Sequence, residues 1–185
     1  AADGVDVRQY GEPVETVVLE MGERHGLSVN SLKMWLHYSG ERLAIRLRDL
    51  DGEIRDEFSG LRWFPADIQY RVSARYTPYA EVKKVEMLNI LGDIEIFDSP
   101  GIVDFELFGE AVRMEALSSS ESSLWFVFRD ATSGKETYPA ARFLRAEVSQ
   151  SNEVVMDFNK AYNPPCAYNP YTTCPTPTKQ NRIGI

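Results

Sequence analysis

Histidine and cysteine are scarce in this chain, two of each among 185 residues. The shortage removes whole classes of chemistry. Two cysteines cannot build a disulfide framework or a four-cysteine zinc site. Two thiols without a nearby histidine leave zinc two ligands short, so no metal is expected. A run of about 18 apolar residues, the length of a membrane helix, is also missing. Basic clusters are missing too. The formal net charge is −8, with acidic and basic residues interleaved. A nucleic acid would therefore meet no stripe of Lys and Arg, and none is expected as a partner. The acidity serves solubility instead. No signal peptide is visible at Ala1-Ala2-Asp3. The expected setting is soluble, the cytoplasm in preference to export.

Familiar site signatures fail on spacing. Asp49 to Glu57 resembles a calcium loop, but Gly52 is fourth from Asp49 where an EF-hand needs glycine sixth. Ser133-Gly134-Lys135-Glu136 resembles the end of a phosphate-binding loop. It has no glycine five positions before Gly134, and Glu136 stands where Ser or Thr is required. His25 lies in a glycine-flanked loop, and His37 shares a strand face with Trp35 and Ser39. Both read as solvated or packed side chains rather than catalytic bases.

What the chain does have is alternation. Met34, Leu36 and Tyr38 alternate with Trp35, His37 and Ser39; Leu43, Ile45 and Leu47 alternate with Ala44, Arg46 and Arg48. This is the period of two of a half-buried strand. Asp51-Gly52 then reads as a tight hairpin turn, with residues 54–58 returning as a short strand. Residues 68–76 alternate cleanly, opened by Pro65 and closed by Pro78. Further strand-length runs occupy 82–91, 93–97, 102–108, 112–117, 124–128, 138–148 and 154–158. Gly92-Asp93, Ser99-Pro100-Gly101 and Gly109-Glu110 punctuate them, and 118–123 is a polar loop tip. Residues 14–21 could form a strand, and 22–30 a loop.

Such spacing predicts a mainly β fold, an antiparallel β-barrel or sandwich, with an irregular Pro/Asn/Tyr-rich C-terminal strap. A single domain is expected over residues 1–185: an ill-defined N-terminal segment at 1–31, a β core at 32–158 and the strap at 159–185. The stretch from Asp157 to Pro175 holds both cysteines, three tyrosines, three asparagines and four prolines. Ala-Tyr-Asn-Pro occurs at 161–164 and again at 167–170. Asn-Pro starts turns and continues neither helices nor inner strands. Tyrosine buries its ring while its hydroxyl seeks a partner. An ordered strap across a sheet or barrel mouth follows.

Three states are open to Cys166 and Cys174. They could form a disulfide closing a short loop, two packed thiols, or a pair with one reactive thiolate. The polar 129–138 segment has two readings as well. It is a loop tied by Asp130 and Thr132 to its own amides, or a binding loop in which Arg129 clamps a carboxylate or phosphate.

Four stretches resemble the uncharacterised family DUF1684: FSGLRWFPADIQYRVSARY, GIVDFEL, LWFVFRDATSGKETYPAARFL and VVMDFNKAYNPPCAYNPYTTCP followed by Asn181-Arg182. Residues 1–50 do not resemble that family's N-terminal region. Matching the motifs marks Arg129, Asp130, Ser133, Gly134, Lys135, Glu136, Thr137 and Tyr138. In the tail it marks Asp157, Asn159, Tyr162, Asn163, Pro164, Pro165, Cys166, Tyr168, Cys174, Asn181 and Arg182. The resemblance implies no activity.

The first functional reading is a module for a small anionic ligand, in a pocket between the 129–138 loop and the 157–182 strap. Arg129, Lys135 and Arg182 meet the anion. Tyr162 and Tyr168 form walls, and Asp130, Asn159 and Asn163 orient the contacts. Ser133, Glu136, Tyr138 and Asp157 complete the candidate set. The second is an enzyme with Cys166 as nucleophile, its thiolate stabilised by Lys135 or Arg182. The third is structural, each motif a hydrogen-bond knot of the fold. A flavin-binding barrel is a further option, which colour would reveal.

Overall fold

The computed structural model describes residues 5–118, 120 and 122–185. The start at Ala1-Ala2-Asp3, and Ser119 and Glu121 of the expected loop tip, lie outside the described residues. Where sequence suggests one domain, the structure has two compact units, Ala1–Leu61 and Arg62–Ile185.

The first unit is a five-stranded antiparallel sheet: β1 (Val7–Gln9), β2 (Glu12–Pro13), β3 (Leu27–Val29), β4 (Leu32–Ser39) and β5 (Arg42–Asp49), in the order β2-β1-β3-β4-β5. The β4–β5 hairpin pairs Met34 with Leu47, Leu36 with Ile45 and Tyr38 with Leu43. However, β5 is exposed along its whole length and the buried side chain of β4 is Trp35 on the opposite face, so the alternation does not mark a half-buried pair. Among its described residues the buried hydrophobic side chains are Leu27 and Trp35. Three further sequence expectations change here. Residues 14–21 form no strand. Met21 makes an isolated bridge to Leu36, and Val18 stays exposed. Residues 22–30 are more than a loop. They hold a short 3-10 turn at Glu23–His25 and then β3, which pairs with β1 and β4. Residues 54–58 do not return as a strand. Glu53–Asp56 close one helical turn, the Arg55 and Asp56 amides donating to the Gly52 carbonyl.

The second unit is a six-stranded antiparallel sheet: β6 (Arg71–Leu88), β7 (Ile94–Leu107), β8 (Glu110–Ser118), β9 (Ser123–Phe128), β10 (Arg142–Glu147) and β11 (Glu153–Asp157). Its order is β10-β9-β8-β7-β6-β11. The short connection from β10 to β11, with a Val148–Val154 bridge, brings the two edge strands together. The sheet thus curls into a nearly closed barrel. Phe108 and Gly109, with φ of 53° and 83°, make the two-residue β7–β8 turn that suits twisted strands.

Two expected strand ends are overturned. Neither Pro78 nor Ser99-Pro100-Gly101 terminates a strand, and β6 and β7 run through them. Pro78 pairs with Gly101, and the ladder resumes at Lys83 and Ser99. Residues 79–82 therefore bulge opposite Pro100. Proline lacks the N–H that a ladder needs, so a bulge is where a long strand accommodates it. Two other runs are trimmed. Ile68–Tyr70 form a 3-10 turn before β6, and β10 begins only at Arg142 because 138–141 belong to the preceding loop.

Both faces of the sheet are buried in its middle. Leu124, Phe126 and Phe128 of β9 enter the barrel with Val103, Phe105, Met114 and Leu144. Val127, and partly Trp125, lie on the other face with Leu117, Phe143, Met87, Cys166 and Cys174. Burial on both sides explains the uninterrupted apolar run at 124–128. The outer layer comes from the C-terminal segment. Tyr162 and Phe143 exchange N–H···O bonds of 2.8 and 2.9 Å, the Ile90 N–H donates to the Cys174 carbonyl at 3.0 Å, and the Thr176 N–H to Leu88 at 2.7 Å. Ordering irregular backbone costs about 1–2 kcal/mol per residue. These bonds and the buried apolar layer offset that cost.

Candidate functional site

The 129–138 loop is organised around Asp130. One carboxylate oxygen accepts the Thr132 N–H at 3.0 Å and the Thr132 hydroxyl at 2.5 Å; the other accepts Arg142 Nη1 at 2.9 Å. Both partners of this ion pair are largely buried, with side chains 12% exposed. Ser133 Oγ accepts the Asp130 N–H at 3.1 Å, and the Thr132 and Thr137 hydroxyls bond at 2.9 Å. The Thr132 carbonyl takes the amides of Lys135, Glu136 and Thr137. Asp130, Ser133 and Thr137 thus hold the loop itself. Lys135 and Glu136 project into solvent.

Asp157 and Asn159 act elsewhere. The Asn159 amide reproduces a backbone pairing with Asp67: Nδ2 donates to its carbonyl and Oδ1 accepts its N–H, both at 2.9 Å. Asp157 Oδ1 accepts from the Asn159 N–H and Nδ2 at 3.2 and 2.9 Å. Together they moor the segment leading into β6.

Tyr138, Tyr162, Cys166 and Cys174 gather in the outer apolar layer. The Tyr138 hydroxyl donates to the Cys166 carbonyl at 3.1 Å, and the Cys166 N–H donates to Cys174 Sγ at 3.3 Å. Burial, then the neighbouring Cys166, pushes the Tyr138 hydroxyl up to about 12. Burial pushes the Cys174 thiol up to about 12 as well, reinforced by its hydrogen bond with the Cys166 thiol. Both cysteines are free and buried, where the sequence left a disulfide open. Lys135 and Arg182, proposed to stabilise a thiolate at Cys166, are exposed, while Cys166 sits among Met87, Leu117, Val127 and Phe143. Asn163 is half-buried and Tyr168 exposed.

Sequence reasoning named Asn181 as a motif residue without giving it a role. It is the buried polar residue that joins most elements. Among the described residues β8 and β9 pair only at Leu117–Trp125 and Ser118–Leu124, then part. Continuing that register would set Glu115 opposite Val127. The Asn181 side chain occupies that place: Oδ1 accepts the Glu115 N–H at 2.7 Å, and Nδ2 donates to the Glu115 and Val127 carbonyls at 3.0 Å each. Beyond it the chain runs parallel to β9's continuation. The Arg129 N–H donates to Asn181 O, Ile183 N–H to Arg129 O, and Ala131 N–H to Ile185 O, at 2.9–3.0 Å. Ile183 and Ile185 turn toward the barrel core, and Arg182 faces out. The signal was an Asn-Arg motif; its target lay 54 and 66 residues away.

This pairing brings Arg129 and Arg182 side by side as bridge partners. Elsewhere on the outer face charges match across the sheet: Glu153 faces Arg75, Arg75 faces Asp104, and Asp104 faces Arg113. Among the described residues, neither Arg129 nor Arg182 makes an ion pair.

The candidate residues therefore form three clusters rather than one pocket: Arg129, Asp130 and Ser133 with Arg182; Asp157 with Asn159; and Tyr138, Tyr162, Cys166 and Cys174. A concavity of about 620 Å³ is lined by Ser73, Arg75, Tyr76, Thr77, Asp104 and Glu153 with their neighbours. None of the candidate residues lines it. Among the described residues no three His, Cys, Asp or Glu side chains are grouped to hold a metal ion, and no helix is long and apolar enough to cross a membrane.

No curated protein matches the chain. A solved structure does, the solution NMR structure of an uncharacterized protein of Haloarcula marismortui. It is 32% identical over 70% of this chain and 74% of that one, with a TM-score of 0.58. The family described as "Protein of unknown function (DUF1684)" matches residues 56–185. That span holds the whole barrel and every motif residue named above, and the chain belongs to this DUF1684 family.

Proposed function

We propose that the protein binds a small anionic ligand through Arg129 and Arg182. The observation that carries this is the unmatched arginine pair. Two like charges as direct neighbours disfavour the pairing that joins them, while the neighbouring charges on the same face are matched strand by strand. An anion between the guanidinium groups removes the repulsion. The planar fork of arginine suits carboxylate or phosphate bidentately. Lys135, exposed on the adjoining loop, adds to the positive field. The apolar walls expected of Tyr162 and Tyr168 do not belong to this arrangement, so the ligand is recognised mainly by charge.

Calorimetric titration at low salt with inorganic phosphate and with citrate tests the reading. Wild type should bind one of them, Arg129→Ala and Arg182→Ala should each weaken binding at least about tenfold, and melting temperatures should stay close to wild type. If wild type binds neither probe, or the variants bind equally, anion binding here is wrong. A second reading, a fold with no ligand, draws on Asp130, Asn159 and Asn181, each of which satisfies backbone groups. It predicts that every motif substitution acts on stability alone.

A further inference from the structure

Cys166 and Cys174 are the only cysteines in the sequence, and the fold places them in contact. The Cys166 N–H donates to Cys174 Sγ at 3.3 Å. They lie eight residues apart, Cys166 in a 3-10 turn and Cys174 on irregular backbone. No strand register holds these positions at a set separation, so the backbone between them is open to the adjustment that a bond between the sulfurs requires. Both side chains belong to the outer apolar layer, and their surroundings tie this stretch to the barrel. The Cys174 carbonyl accepts from Ile90, and the Cys166 carbonyl from Tyr138.

We propose that Cys166 and Cys174 form a reversible dithiol–disulfide site whose co-substrate is a low-molecular-weight disulfide, and that oxidation pins the strap onto the outer face of the barrel. In the first step one cysteine thiolate attacks the small disulfide. A mixed disulfide forms, the small S–S bond breaks, and one small thiolate leaves and takes up a proton. In the second step the other cysteine, having lost its proton to solvent, attacks the protein sulfur of the mixed disulfide. The intramolecular Cys166–Cys174 bond forms and the second small thiolate leaves. The protein dithiol is oxidised by two electrons, and one small disulfide becomes two small thiols.

Burial controls the rate. Cys166 is 9% and Cys174 3% exposed, so exchange proceeds from states in which the strap has lifted. A closed strap protects the dithiol. Loop closure by the disulfide then restricts the opened chain more than the docked one and favours the docked form.

The test incubates the full chain with oxidised glutathione at mildly alkaline pH, quenches with acid and reads intact mass and melting temperature. The expected product is lighter by two hydrogens, carries no glutathione and melts several degrees higher. Dithiothreitol restores the original mass and melting temperature. Sub-denaturing urea accelerates the reaction. With Cys174→Ala, glutathione stays attached to Cys166, which shows that the second thiol resolves the adduct. A urea-unfolded sample under the same oxidant serves as the reference. Three results overturn the proposal: a lasting glutathione adduct on the unsubstituted chain, thiols in the folded chain that stay reduced long after the unfolded reference has closed, or a lower melting temperature after oxidation.

Discussion

The Asn181 amide stands in for a rung of sheet. Its three hydrogen bonds satisfy the N–H and C=O of Glu115 and the C=O of Val127, backbone groups on two strands that have parted. Asn181 is 2% exposed, so water cannot take its place. Replacing Asn181 by Ala leaves all three groups without their partner in a buried setting. At about 1 kcal/mol per lost bond, and more for each group left unsatisfied, the loss should be roughly 3–5 kcal/mol. Urea denaturation should show a lower midpoint with an unchanged slope. A change below about 1 kcal/mol would mean that the strands close without the wedge. Sequence made part of this residue-scale chemistry legible. The ties from Asp130 to Thr132 span two positions, the usual reach of an Asp side chain in a turn. Asn159 and Asn181 act on residues 92, 66 and 54 positions away. No local pattern points that far.

At the scale of the element, β6 and β7 are governed by their bulge. Read locally, Pro78 and Ser99-Pro100-Gly101 stop strands, since proline and glycine weaken a ladder. The structure sets Pro78 against Gly101 and leaves residues 79–82 looped opposite Pro100. The breakers coincide across the pair, so one irregularity accommodates both. Gly101 is required there by close approach rather than by its φ. A Cβ at this position would lie 2.4 Å from Thr77 O, 2.7 Å from Tyr76 Cε2 and 2.8 Å from Pro78 Cα. Two of these are backbone atoms of the strand paired with it, and they cannot yield cheaply. Gly101→Ala should therefore destabilise by about 2–3 kcal/mol, the cost of overpacking, measured by thermal denaturation. A neutral result would show that the bulge is soft. The outcome is not readable from glycine's place in the sequence, because it depends on which segment lies opposite.

At the scale of the whole molecule, the two units differ in what they bury. Both hydrophobic clusters belong entirely to Arg62–Ile185. Among the described residues of the Ala1–Leu61 unit only Leu27 and Trp35 are buried hydrophobics, and Tyr38, Leu43, Ile45 and Leu47 are each more than half exposed. Domains of about 60 residues are marginal even with a full core. Residues 62–185 expressed alone should therefore unfold cooperatively, with a melting temperature within a few degrees of the main transition of the full chain, by circular dichroism. Loss of that transition would show that the N-terminal unit supplies stability the barrel lacks. By itself the sequence determined the mainly β class, the inward face of β6 at Val72, Ala74 and Tyr76, and the residues of the loop and tail motifs. Alternating burial, turn chemistry and short-range side-chain bonds all act within a few residues, so a local reading captures them. Only the tertiary structure decided that the sheet curls into a near-barrel, that the tail covers its outer face, and that Arg129 meets Arg182 and Cys166 meets Cys174. Those contacts depend on distant segments sharing a surface, and hydrophobic burial, which drives them, has no direction that a local pattern records.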